Sequence, residues 1–534
     1  MSKRTEFFVP NQRESETTMS TVQKNLAGHK GLKTGALGLL SSVVIGMAST
    51  APAFSLAAAL GWVVLSGVGV KAPGIMLLAF IPMFFISIAY KELNRVEPDC
   101  GTVFTWAGRA FGSRTGWMSG WALIIADIIC MSSLASVAGS YSFIFIGELF
   151  NNPDIAGLGG DVVWSTTAGL IWIIVMTWIC WRGIEVSAKL QYWLLGTELI
   201  VLVAFAAVAL FRVLTGDGVD GFSSMPSLDW LNPFDLPFGE AIAPALLTAL
   251  FLYWGWDTAV AVNEETEDPE RTPGRAAVMS TVLLLVTYLL VSVAAVAFAG
   301  VGDTGMGLNN EEHADDIFAS IGAELFGDSI VGKIMMMLLA VSVLTSAAAS
   351  TQTTILPTAR GALSMAAFKA IPAKFAVIHE KFQTPTWATW GMGIISAGFY
   401  LLFTMISPNL LMALVGCLGM LIAVYYGMTG FSAVWFFRKT LTRSARNFFM
   451  RGVIPLAGAV MMAVVFAYGL QQFLLPDWLV DDNGDNVTIF GLGAVGVVGL
   501  LSLAFGAVLM VIYNAKAPAY FQGKTLEKRV HTAD

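Results

Sequence analysis

Residues 276–300 read AAVMSTVLLLVTYLLVSVAAVAFAG, a run without one charged side chain. A hydrocarbon core roughly 30 Å thick is crossed by about 20 helical residues, so this block is long enough to span a bilayer. Residues 161–181, DVVWSTTAGLIWIIVMTWICW, carry no charge after Asp161 and meet the same condition. Strands of a membrane barrel would be near 10 residues long with alternating polarity, and these blocks do not alternate. Only 13% of the 534 residues are charged, while 56% are hydrophobic and the mean hydropathy is +0.71. A soluble chain carries roughly 25% charge. The fold class implied is an all-α integral membrane protein.

Twelve such blocks follow one another, at about 36–66, 73–90, 116–147, 162–181, 190–211, 241–263, 276–300, 330–356, 386–405, 409–437, 452–474 and 487–513. They are called spans 1 to 12 below. No segment between them is long enough for a second domain. The polar segment 1–35 lacks the apolar core of a cleavable signal peptide. It is expected to be a cytosolic and partly disordered tail, as is 514–534. With the start of the chain inside, all of the 30 Lys and Arg except Lys71, Arg212 and Lys333 fall on the inner side, as the positive-inside rule requires. Both termini are therefore expected in the cytosol of a multi-pass protein of the cytoplasmic membrane. The acidic run Glu264–Glu270 and the basic loop Arg438–Arg451 are expected to be solvated ends on that side. Cys100, Cys130, Cys180 and Cys417 have no metal-ligand spacing and read as small buried hydrophobes.

Two spans are interrupted. Span 1 contains Ala48-Ser49-Thr50-Ala51-Pro52, and Pro52 has no N–H and clashes one turn back, so the helix should open there. Span 6 contains Trp254-Gly255-Trp256-Asp257-Thr258, a poor lipid-facing sequence. Interrupted spans five apart point to two five-helix repeats of inverted topology, with substrate bound between the breaks.

Three elements then resemble one family. The run Gly255-Trp256-Asp257 continuing to Glu264-Glu265 and Pro269, then Pro273-Gly274-Arg275-Ala276, is similar to the span 6 signature of amino acid–polyamine–organocation permeases. Leu93-Asn94-Arg95-Val96-Glu97-Pro98-Asp99-Cys100-Gly101 through Trp106, with Phe111-Gly112 and Gly120-Trp121, resembles that family's element between spans 2 and 3. Arg360, Ala366-Ala367, Ile371-Pro372, His379 and Thr384-Pro385 resemble its loop after span 8. The resemblance implies a LeuT-type fold with a core at 36–437, in repeats at about 36–211 and 241–437, followed by two helices at 452–513. It also implies transport of an amino acid or amine. Many amino-acid carriers of the family have a glycine-rich break in span 1 whose free N–H groups hold the substrate carboxylate. Here Ala48, Ser49, Thr50, Ala51 and Pro52 stand there instead.

An ionisable group deep in a span costs a few kcal/mol and is a functional candidate by default. Asp127, Glu198 and Asp257 are the three. Asp257 could face a cationic amine or cap the broken helix through backbone N–H groups, and the capping role is favoured. Glu198 lies in an apolar run where burial disfavours the carboxylate, so it can load and release a proton. It is the preferred coupling group, with sodium as the other candidate ion. The resemblance sharpens this, because some proton-coupled members place a lysine at the matching position. Asp127 is expected to pair with Ser132, Ser133 or a neighbouring helix. Ser342, Thr345 and Ser346 lie on span 8, where related folds bind a cation. Trp254 and Trp256 flank the break and could gate or stack on a substrate.

No nucleotide-binding loop, metalloprotease motif or catalytic triad pattern is present in the sequence, so an enzyme, a cofactor, a resident metal and a nucleic-acid partner are not expected. The function read from the chain is a permease for an amino acid or related amine, working by alternating access and coupled to protons. The alternatives are an exchanger without ion coupling, or a transport-inactive sensor or channel of the same fold. The orientation has a direct check. Single cysteines placed within 91–115 or 438–451 should resist a membrane-impermeant reagent added outside whole cells and react in inside-out vesicles; the reverse pattern overturns it.

Overall fold

Lipid cannot hydrogen-bond a free peptide group, so a chain this apolar must satisfy its backbone within helices. The computed structural model describes residues 30–327, 329–406, 413–481 and 483–532, and the chain is helical nearly throughout. Ten helices are long and apolar enough to cross a membrane. One of them, Leu39–Val96, contains both spans 1 and 2, and the shorter apolar helix Phe238–Leu252 belongs to span 6. The molecule is therefore an all-α integral membrane protein with the twelve spans read from the sequence.

Span 1 runs as Leu39–Ala48 and then Pro52–Val63, and span 6 as Ala243–Leu252 and then Thr258–Ala261. The uninterrupted spans are Ala72–Val96, Ser113–Phe150, Val162–Arg182, Ile184–Thr215, Thr272–Ala299, Ile330–Ala367 and Thr386–Ile406. Spans 10 to 12 include Leu418–Phe437, Ile454–Phe473 and Ala494–Lys516; residues 407–412, at the start of span 10 as read from sequence, lie outside the described residues. Spans 3 and 8 lie against each other along their length, as do spans 2 and 7. Spans 4, 5, 9, 11 and 12 turn large apolar side chains outward, among them Trp193, Ile200, Ile394 and Val511. That is the expected pattern for a surface wetted by hydrocarbon rather than water.

Without a hydrophobic force between helices, close approach depends on small residues. Spans 3 and 4 cross through Gly139 and Gly169. A Cβ on Gly169 would lie 2.5 Å from the Ala135 carbonyl oxygen, and one on Gly139 would overlap the Ser165 carbonyl.

Several sequence expectations need correction. The segments flanking the spans were expected to be partly disordered. Residues 1–29 lie outside the described residues, but Leu32 is buried, as are Tyr520 and Leu526 beyond span 12. Span 12 begins at Ala494 rather than 487, because Thr488–Ile489 and Leu492–Gly493 pair as a short hairpin. Helices at Val103–Phe111 and Ile317–Phe326, too short to span, occupy segments read as loops. The second starts where Asp316 accepts from the N–H groups of Phe318 and Ala319, a side-chain N-cap.

The helix crossing is testable. Gly139→Ala is expected to push spans 3 and 4 apart at a cost of about 1–3 kcal/mol, read as a lower Tm in detergent than that of the parent. An unchanged Tm would mean that the two spans do not cross this closely.

Candidate functional site

The two breaks meet. The Ser49 hydroxyl is 2.8 Å from that of Thr258, joining span 1 to span 6. Gly255 has φ +121°, and a Cβ there would sit 2.5 Å from the Ser49 carbonyl oxygen. Only glycine meets both demands at little cost. Ala51 takes the left-handed conformation, φ 46°, a strained one for a residue with a Cβ. It lets the chain turn before Pro52, which opens the next helix at a position where a missing N–H costs nothing.

Every N–H that the span 1 break could offer is already used. Ser49 donates to Ile45, Thr50 to Met47 and Ala51 to Ala48. Pro52 has none. Ala53 donates to Glu198 Oε1 at 2.6 Å, and Phe54 to the Ser346 hydroxyl at 3.2 Å. Where many carriers of the family hold a substrate carboxylate, a carboxylate of the chain itself takes the Ala53 N–H. Glu198 is 0% exposed and sits at the positive N-terminal end of Pro52–Val63. Ser346 of span 8 also donates to Oε1 at 2.7 Å, while Oε2 has no hydrogen-bond partner. Spans 1, 5 and 8 therefore converge on one carboxyl group. Ser350, one turn further along span 8, donates to the Ser49 carbonyl at 2.9 Å. Ser342 and Thr345 are not part of this cluster, for their hydroxyls donate to the span 8 carbonyls of Leu339 and Ser342.

Asp257 does not cap the broken helix. Its carboxylate accepts from the Tyr426 hydroxyl at 2.8 Å and the Tyr90 hydroxyl at 3.5 Å, and no side-chain cap bond starts Thr258–Ala261. Asp127 pairs with Thr358 of span 8 at 2.5 Å, whereas Ser132 donates to its own helix. Both carboxylates line one small cavity of about 10 Å³ with Ser49, Trp254, Gly255 and Thr258. That is room for about one water, so admitting a larger molecule requires the walls to part. Ala48, Thr50, Ala51, Pro52 and Trp256 belong to the breaks but do not line this cavity. Trp256 is packed between Tyr90 and Tyr426.

A larger cavity of about 530 Å³ lies toward the end of the bundle with the acidic loops, lined by Phe54, Trp62, Thr248, Phe251, Ile422 and Met462 among others. Phe251 lines the large cavity, and Trp254, one turn on, lines the small one. The Trp254 indole donates to the Tyr425 hydroxyl of span 10, a tie at the boundary between them.

At the opposite end the expectation of solvated charges holds for Arg438, Lys439, Arg443 and Arg446 and for part of the acidic run, but fails for Glu264, Glu265 and Arg451. Glu265 is 0% exposed and holds Arg360 by two bonds, at 2.6 and 2.9 Å. Glu264 is also buried and pairs with Lys30. Only Glu267, Asp268 and Glu270 of the acidic run are exposed. In the basic loop, Arg451 is buried against Glu92 at 2.9 Å, and Arg446 reaches the same carboxylate. All four cysteines are free and buried, as expected.

A ring of spans around two facing helix breaks, with buried acids beside them, defines a membrane transport protein rather than an enzyme. A family model described as amino acid permease matches residues 37–500, and the chain belongs to that family. It is similar to the methylthioribose transporter of Bacillus subtilis, 24% identical over 63% of this chain and 68% of the relative. It is similar to the branched-chain amino acid permease BcaP of the same organism, 23% identical over 63% of this chain and 70% of the relative. Similarity to the mitochondrial cationic amino acid transporter 3 of Arabidopsis thaliana is 25% over 60% of this chain, which spans half of that relative's length.

Gly255 gives a sharp test of the site. Gly255→Ala should drive the breaks apart and abolish ligand-induced stabilisation in a thermal-shift screen of amino acids and amines, in which a parental ligand raises Tm by mass action. A variant that keeps the parental shift would show that the breaks need not touch.

Proposed function

We propose that this permease carries an amino acid or related amine bearing positive charge, bound between the two breaks and driven by protons. The observation that carries this reading is the single cavity that Asp127 and Asp257 line together, between spans 1, 3, 6 and 8. Lys and Arg are absent from its lining, and two buried carboxylates without a cation favour a ligand that supplies one. Ser49, Thr258 and the peptide groups around Gly255 supply polar contacts. Ala48, Thr50, Ala51, Pro52, Trp254 and Trp256 shape the breaks, with Trp254 as the gate toward the larger cavity.

In this reading Glu198 is the proton site. While charged, it ties the second half of span 1 to spans 5 and 8 through Ala53 and Ser346. A proton removes the charge that holds the helix end. The tie then weakens, and Pro52–Val63 is free to move against span 8. Differential affinity of the proton for the two arrangements is what coupling requires. The core comprises two repeats, at about 36–211 and 241–437, and one bundle would rock against a scaffold around the breaks. The basic end of the bundle would lie in the cytosol, in the cytoplasmic membrane. Sodium at the same carboxylate, with Ser346 of span 8 beside it, is the second reading, and the unpaired Oε2 of Glu198 supports it.

In proteoliposomes, uptake is expected to rise with an inward proton gradient and to ignore sodium. Glu198→Gln keeps an acceptor for Ala53 but cannot ionise. It should abolish the pH dependence and leave substrate exchange partly intact; accumulation that still follows the pH gradient would make this acid structural. A separate pair of variants tests the substrate. Asp127→Asn and Asp257→Asn should each weaken cationic substrates by about tenfold or more, since truncating one partner of a buried charge pair costs about 2–5 kcal/mol, and should affect zwitterions far less. Equal losses for both classes would remove the carboxylates from charge recognition.

A further inference from the structure

The segments on either side of the twelve spans meet on one short loop, residues 97–101, which joins span 2 to the helix Val103–Phe111. From the segment before span 1, Lys30 donates to Asp99 at 2.9 Å and to Glu264 just beyond span 6. Asp99 also accepts from the Gly101 N–H and from the hydroxyls of Thr105 and Ser364, the last on span 8. The Cys100 N–H donates to Glu264 at 3.0 Å. Asp99, Cys100 and Glu264 bring three donor atoms together, and the Lys30 ammonium is the cation among them.

From the segment after span 12, Arg529 pairs with Glu97, which also contacts Arg109 at 3.4 Å. That segment is fastened along its course. The Tyr520 hydroxyl donates to the Ser113 carbonyl, Thr525 to that of Phe368, and the Arg529 N–H to that of Arg109. Leu526 is buried against Gly108, and the His531 N–H donates to Phe436 at the end of span 10.

We propose that Lys30 and Arg529 are positioning residues of the transport cycle: both flanking segments must release loop 97–101 before the cytosolic path between spans 1, 6 and 8 opens. Loop 97–101 touches span 6 through Glu264 and span 8 through Ser364. Rocking of one against the other therefore strains the contacts of Lys30 directly, and moves the loop that Arg529 holds through Glu97. Parting the buried Lys30 pairs leaves a charge without its partner, and this opposes opening, while the half-exposed Arg529 adds a second hold on the same loop through Glu97. Burial alone would lower the Lys30 ammonium, but Asp99 and Glu264 outweigh it and raise it well above its usual value, while Lys30 holds Asp99 below the usual carboxylate range. The lysine's contribution is full below its ordinary value of about 10.4, and the aspartate's is full above about 3.9. The clamp is thus charged across the physiological range and is a mechanical tie, not a pH switch.

Cys100, 1% exposed in the clamped loop, reports its release without any transport measurement, so this test is independent of the substrate and coupling reading. The full chain carrying Cys130→Ala, Cys180→Ala and Cys417→Ala is labelled with an impermeant maleimide in inside-out vesicles. Lys30→Met and Arg529→Ala should each speed Cys100 labelling by about fivefold or more, the lower range of coupling between sites, and the double variant further. Lys30→Arg should restore the parental rate. A second reporter, Thr248→Cys in a Cys100→Ala background, lines the large cavity at the other end and, with the same reagent added outside whole cells, should label more slowly in the same variants. Parental Cys100 rates in either variant overturn the proposal for that segment. Faster labelling at both reporters would mean general loosening of the fold, and would overturn it altogether.

Discussion

Breaking a helix inside a membrane releases peptide groups that lipid cannot satisfy, and each unsatisfied group costs several kcal/mol. The rest of this structure is arranged around that constraint. Span 1 stops at Ala48 and restarts at Pro52, and the released groups find partners on other spans. Glu198 from span 5 takes the Ala53 N–H, and Ser346 and Ser350 from span 8 take Phe54 and the Ser49 carbonyl. Span 6 contributes Gly255, whose missing side chain lets its backbone lie against Ser49. The same groups that make the breaks tolerable therefore bind four spans into one cluster. A change in any one of these bonds acts on all of them together.

The two ends of the bundle are built differently. One is closed by buried ion pairs, Lys30 with Asp99 and Glu264, Arg360 with Glu265, and Arg451 with Glu92. The other holds a cavity of about 530 Å³ walled mainly by apolar and aromatic side chains. Buried ion pairs are not a large source of net stability, because desolvation offsets their attraction. They are directional, however, and parting them leaves uncompensated charge. Apolar walls can slide and repack at smaller cost. The arrangement described here, closed at the charged end and hollow at the apolar one, follows from that difference.

Much of this was legible from local sequence. Hydrocarbon thickness alone sets the length of the apolar blocks, so the spans and the all-α class follow from residues such as 276–300. Pro52 and Gly255 mark the breaks by their backbone chemistry, and Asp127, Glu198 and Asp257 stand out because charge is costly in lipid. The partners of those acids were not legible. Thr358 lies 231 residues from Asp127, Tyr426 lies 169 from Asp257, and Ser346 lies 148 from Glu198. Glu264 and Glu265 are an instructive failure. In an acidic run beside Arg271 and Arg275 they look solvated, yet Lys30 and Arg360 come from far away to bury them.

The sequence by itself determined where the chain crosses the bilayer, where two crossings break and that Asp127, Glu198 and Asp257 lie within spans, because each depends on how one short stretch meets water, lipid or its own backbone. Only the tertiary structure decided that Asp127 and Asp257 share a cavity, that Glu198 fills the end of a broken helix, and that residues before span 1 and after span 12 hold the same loop. Those outcomes depend on which distant helices come into contact, and a hydrogen bond or ion pair across such a contact leaves no periodic signal along the chain.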